Sequence, residues 1–252
     1  MSNSGSIAIT LSGAFTGSGN ITSTNGPVNI VSSGAVTLNG AISSGSGGIS
    51  VDSATAVTLN ANATVTGAGG DLVLKADTNV VIDAAGVTLQ TAGTSSGSGG
   101  RIILWSDADA SGQGYVSIDK NSTLNSIGGA TSTFTGGGDI HVAGGEDNGS
   151  TGISSAAVNG DGLPDGWAIA TVDTQHGIFL GADAATGNIN KIQSGGGDIR
   201  MFGKNTTAAD AFSLNWTTQM DSGQGQIELQ GDSAGWGLQI NRSGPADTYN
   251  PK

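Results

Sequence analysis

Cysteine is absent from the 252 residues, which excludes a disulfide framework and any thiolate metal site. Charge is scarce, 11% of residues where about a quarter is usual, and it is lopsided: eight Lys and Arg face twenty Asp and Glu. A formal net charge of −12 argues against nucleic acid or an anionic membrane as a partner. Aromatics make up 4% of the chain and prolines number four. No apolar run reaches the roughly 18 residues of a spanning helix, so no membrane insertion is expected. Residues 1–6 carry no basic region, and Ile7-Ala8-Ile9-Thr10-Leu11 alternates where a secretory signal would be continuously apolar. The chain therefore reads either as cytoplasmic or as an internal piece of a secreted protein behind an added methionine. The repeats described next favour the second.

Glycine is abundant instead, with 45 residues, and no Gly-X-Y period that would indicate collagen. Ala35-Val36-Thr37-Leu38-Asn39-Gly40 returns as Ala56-Val57-Thr58-Leu59-Asn60-Ala61, and again as Asn79-Val80-Val81-Ile82-Asp83-Ala84. A glycine-led strand precedes each copy (Val28-Asn29-Ile30, Ile49-Ser50-Val51, Leu72-Val73-Leu74), and a third short strand such as Thr64-Val65-Thr66 or Val87-Thr88-Leu89 follows the later ones. Three short strands in each period of little more than twenty residues signal a solenoid. Within a strand, Val57 and Leu59 share one face while Thr58 and Asn60 share the other. Stacked coils then place Val36, Val57 and Val80 in one inward column, with Val28, Ile49 and Leu72 in a second and Val65 and Leu89 on a third wall. An antiparallel sandwich would also alternate, but it does not predict near-identical strands at a fixed offset. Disorder fits poorly with so regular a β-branched alternation.

The expected fold is all-β: a parallel β-helix, or β-solenoid, of about ten to eleven coils spanning residues 1–252. Residues 1–98 form regular short coils. Residues 99–242 form decorated coils with inserted loops at about 144–176, and 243–252 a tail. Ten of the eleven aromatics lie at or beyond Trp105, and every Lys and Arg at or beyond Lys75, so binding is expected on the decorated half.

At Gly99-Gly100-Arg101-Ile102-Ile103-Leu104-Trp105-Ser106-Asp107-Ala108-Asp109 and the strand Tyr115-Val116-Ser117-Ile118, the chain resembles the filamentous-haemagglutinin-like repeats of giant bacterial surface exoproteins. Gly136-Gly137-Gly138-Asp139-Ile140, Gly195-Gly196-Gly197-Asp198-Ile199 and Gly225-Gln226-Ile227 are similar to the same family's strand openings. The resemblance implies that the β-helix is a right-handed parallel one, on a large secreted adhesin, extracellular or at the bacterial surface. Its partners would be a host or neighbouring-cell surface protein or polysaccharide.

Asn159-Gly160-Asp161-Gly162-Leu163-Pro164-Asp165-Gly166 resembles a calcium loop, with oxygen ligands on Asn159, Asp161 and Asp165 and glycine at the bend. Aligned on such a loop, its first and twelfth positions are Ala157 and Ala168, which offer no carboxylate; Glu146 and Asp147 would complete a site only by folding back. Asp107 and Asp109, like Asp77 and Asn79, sit two apart and would share a face on a strand. A carboxylate pair of that kind serves glycoside hydrolysis, but as turn residues they serve the loop alone. His141, between inward Ile140 and Val142, should face solvent; His176 stands alone. No catalytic residue and no cofactor beyond calcium are assigned, and the chain is expected not to be an enzyme. The expected function is a structural and adhesive segment of a surface filament, able to associate end to end. The alternatives are a carbohydrate-active enzyme and a calcium-dependent carbohydrate-binding module on the same fold.

Overall fold

Twenty-five strands and no helix make up the computed structural model, which describes residues 2–45, 47–67, 69–91, 99–127, 136–149, 159–181, 189–215 and 218–241. All strand pairs are parallel, and they gather into three walls in which each strand pairs with its counterpart one coil before and after. This is a right-handed parallel β-helix. The broad wall begins with Ile7–Leu11, Val28–Ser32, Ile49–Ser53 and Leu72–Ala76. It continues through Ile102–Ser106, Ile140–Gly144 and Ile199–Asn205 to Ile227–Ser233. A second wall runs from Phe15–Gly17 to Leu238–Asn241, and a third from Ser2–Asn3 to Thr218–Asp221.

The register follows from the alternation. Val28 pairs with Ile49 and Ile49 with Leu72; Val36 pairs with Val57 and Val57 with Val80. These residues, with Val65 and Leu89 on the third wall, are fully buried in one continuous aliphatic core. The outer face carries ladders instead, such as Asn60 Nδ2 donating to Asn39 Oδ1 at 2.7 Å.

The glycines that lead into the broad wall have a steric cause. A Cβ placed on Gly100, Gly138, Gly197 or Gly225 would collide with the carbonyl group of the glycine one coil earlier. The corner is a column of backbone packed on backbone, and only glycine fits it.

Among the described residues the coils number eight, where ten or eleven were expected, giving a rod of ~38 Å at ~4.8 Å per coil. The later coils are longer, so the same chain length makes fewer of them. In the second to fourth coils the corner from the broad to the second wall takes three residues (33–35, 54–56 and 77–79). In the fifth it takes 107–115. In the sixth the chain leaves the broad wall after Gly144 and rejoins it at the short strand Ala168–Ala170 before reaching the second wall at Ile178. Ile199–Asn205 records the detour: its first three residues pair with Ile140–Val142 and its last three with Ala168–Ala170. The expected tail, 243–252, lies outside the described residues.

Candidate functional site

The elaborated corner of the fifth and sixth coils holds nearly all the unusual side-chain chemistry. In the regular coils the broad wall alternates buried with less buried residues; in Ile102–Ser106 and Ile140–Gly144 all five positions are buried. Residues 145–149 and 159–167 lie against the outer face here. Trp105 Nε1 donates to the Gly145 carbonyl at 2.6 Å, and Arg101 reaches the Asp161 carbonyl at 3.3 Å. Trp167 meets Phe202 edge to face, their ring centres 6.4 Å apart. Lys75 in turn lies 4.8 Å from the Trp105 ring centre, a cation–π contact across neighbouring coils.

His141 corrects the expectation of a solvent-facing side chain. It does sit on the outward row, between Ile103 and Arg200, but it is 4% exposed and neither ring nitrogen has a hydrogen-bond partner among the described residues. Burial, reinforced by the Arg200 charge, lowers its pKa to about 4.

Asp107 and Asp109 do not form a strand pair. The strand ends at Ser106, and Asp107 takes a left-handed backbone conformation (φ 49°). Its buried Oδ1 accepts from Ser111 Oγ and from the backbone N–H groups of Gly112 and Gln113, at 3.0–3.1 Å. Burial raises the Asp107 pKa, the three donors oppose that, and the Asp109 charge adds to it. Asp77 is likewise raised, by burial and then by Asp109 and Asp52. Asn79 Oδ1 accepts from the Tyr115 N–H. These residues shape the 107–115 turn.

The acidic loop folds differently from a twelve-residue calcium loop. Its twelfth position, Ala168, is a fully buried strand residue; its first, Ala157, lies outside the described residues. Asp147 does fold back: one oxygen from each of Asp147, Asp161 and Asp165 lies within 4.8 Å of the others. Asn159 is exposed at the turn. Each carboxylate also accepts a backbone N–H. Asp147 takes those of Gly160 and Gly162, Asp161 that of Leu163, and Asp165 that of Gly149.

Sequence reasoning missed a cleft beside this corner, on the second-wall face. Tyr115, Ser117, Thr174, Gln175, His176 and Phe179 line a hollow of about 210 Å³. A second hollow of about 210 Å³ adjoins it, sharing Tyr115 and Gln175 and adding Asn79, Gln113 and Thr171 among others. His176 stacks on Phe179, ring centres 5.5 Å apart and planes 12° from parallel. Its Nδ1 lies 3.1 Å from the Asp210 carbonyl, which can only accept, so Nδ1 is the donor of that bond. The concentration of aromatics after residue 104 was the available signal. Tyr115 and Phe179, though far apart in sequence, become neighbours because Ser117 pairs with Phe179 in adjacent coils.

Comparison with protein-family models, with curated proteins and with solved structures finds no match to this chain.

Proposed function

We propose that the protein is a structural and adhesive segment of a large bacterial surface or secreted filament, extracellular in use and without catalytic activity. One observation carries this reading: the described helix opens and closes in the same phase, and the end strand on each wall pairs on one side only among the described residues. Ser2–Asn3, Ile7–Leu11 and Phe15–Gly17 form the first coil; Thr218–Asp221, Ile227–Ser233 and Leu238–Asn241 form the last. Ile227 and Leu238 end inward columns yet are 45% and 39% exposed, and Ile9 and Phe15 are half-buried at the other end. Such edges are templates for another coil, and head-to-tail contacts of unlike ends extend without closing. A following copy places Ile7 on Ile227, Ile9 on Leu229 and Phe15 on Leu238. The haemagglutinin-like strand openings support the same reading. The absence of catalysis is inferred from Asp107, which is committed to its turn, and from histidines held apart on different walls.

Sedimentation and electron microscopy of the 252-residue chain should show rods that lengthen with concentration in steps of ~38 Å. Ile227→Lys, at a half-exposed site, should stay folded and remain single. A strict monomer at high concentration would overturn the reading.

A second reading, a calcium-dependent binding module, is favoured by the return of Asp147 onto Asp161 and Asp165. Calorimetry with calcium on the intact chain and on Asp161→Asn tests it.

A further inference from the structure

We infer that the cleft between the 107–115 turn and the 171–177 segment binds a neutral carbohydrate chain, one sugar ring in each hollow. The inference rests on the adhesive reading and names its ligand class. Four features of the lining select that class. First, among the described residues no Asp, Glu, Lys or Arg lines either hollow, although the chain carries net charge −12. A charged ligand would find no counter-ion there. Second, the half-buried rings of Tyr115 and Phe179, the latter backed by His176, offer flat apolar surfaces to the C–H face of a pyranose.

Third, the polar groups around those rings are hydroxyls and amides suited to sugar hydroxyls: Ser117, Thr174 and Gln175 in one hollow, Asn79, Gln113 and Thr171 in the other. Several are already oriented. Asn79 uses its oxygen on the Tyr115 N–H, which leaves its amide nitrogen to donate. His176 uses Nδ1 on the Asp210 carbonyl, which leaves Nε2 for a sugar hydroxyl, a group able to donate or to accept. Fourth, an extended peptide finds no backbone partner here. Val116–Ile118 pairs with Val80–Ile82 on one side and Ile178–Leu180 on the other, and Ile178–Leu180 pairs onward with Phe212–Asn215. The one strand edge at the cleft among the described residues, that of Ala168–Ala170, whose Ile169 lines the second hollow, is already taken: Ile169 exchanges both backbone hydrogen bonds with Gly114, at 2.6 and 2.8 Å, so β-strand addition is excluded.

The hollows are small and open, so a single chain binds weakly, with Kd near ~1 mM; many copies along a rod raise the avidity.

Saturation-transfer NMR and calorimetry with cellotetraose, maltotetraose and chitotetraose test this, with tetragalacturonate and a Gly-Ser peptide as comparators. At least one neutral tetrasaccharide should bind, and more tightly than either comparator. Phe179→Ala, an outward position, should weaken binding about three- to tenfold, while Asn29→Ala, an exposed site in the regular coils away from the cleft, should retain it. Thermal melts confirm that both variants are folded. No binding of the three sugars at ~10 mM, unchanged binding by Phe179→Ala, or preference for the uronate or the peptide would each overturn the inference. Rod formation measured in the same samples separates the two claims. Sugar binding lost with rods intact refutes the cleft alone, and rods absent with sugar binding intact refutes the filament alone.

Discussion

Ile103, His141, Arg200 and Glu228 stack as one outward row on successive coils, so an imidazole lies between an aliphatic side chain and a guanidinium. Arg200 is itself held by Asp198 at 2.6 Å and Glu228 at 3.7 Å, and no hydrogen-bond partner among the described residues supports a protonated His141. Arg101 and Arg200 oppose its protonation, while Asp139 and Asp198 favour it more weakly than burial disfavours it. The folded-state pKa, about 4, lies below the ordinary 6.5. The contribution to stability is therefore complete above pH 6.5 and is lost as pH falls toward 4, by about 3 kcal/mol in the limit. Asp77 and Asp107 have raised values and act with the opposite sign over the acid range. The clean readout is thus a difference between proteins. Between about pH 7 and pH 4 the melting temperature of wild type should fall more than that of His141→Phe; parallel falls would mean that His141 protonates freely. Periodicity alone assigned this residue to the correct outward row. Its burial, in a row that the regular coils leave only half-buried, was not legible from the strand itself.

Among the elements, the strand is where sequence and structure agree most closely. A three-residue strand such as Val57–Leu59 has two inward side chains and one outward, and its neighbours above and below are near copies. Placing Asp at Val57 buries an unpaired charge between two complete coils, with no polar partner on that column, and should cost several kcal/mol (about 3–5). Thr58→Asp adds a carboxylate to the outer ladder and should cost under ~0.5 kcal/mol. Equal losses in denaturant melts would reverse the inside and outside of the wall. The corner elements were less legible because their partners are remote. Asp147 meets Asp161 and Asp165 only through the path of the inserted chain. Asp107, two residues from Asp109, leaves the strand because its carboxylate satisfies three donors of its own turn. The cleft was hidden for the same reason: Tyr115 and Phe179 belong to different coils, and the 171–177 segment that walls them off begins in another strand.

At the scale of the whole rod, each coil contacts only the coils beside it, so stability is a sum of nearest-neighbour terms and a coil is a removable unit. The regular half permits a strict test, because Val36 and Val57 occupy equivalent places one coil apart. Deleting residues 36–56 joins Ala35 to Val57 and moves every later rung down by one. Val28 then meets Leu72, Ile30 meets Leu74, Phe15 meets Val57 and Ile21 meets Ala63, each pair of the same inward class as the one it replaces. The glycine column survives as well, with Gly26 brought under Gly70. The charge lost is Asp52, whose 3.9 Å contact with Lys75 is largely exposed and is worth well under ~1 kcal/mol. The shortened chain should therefore fold, melt in one transition a few degrees lower, form rods with steps ~4.8 Å shorter, and keep the Tyr115–Phe179 cleft unchanged. Deleting 36–55 instead leaves one residue too many in a three-residue corner and turns the following strand's side chains to the wrong face. That variant should lose the cooperative transition. Circular dichroism melts of the two deletions decide the matter: if both melt alike, the coil is not the unit on which this fold is built.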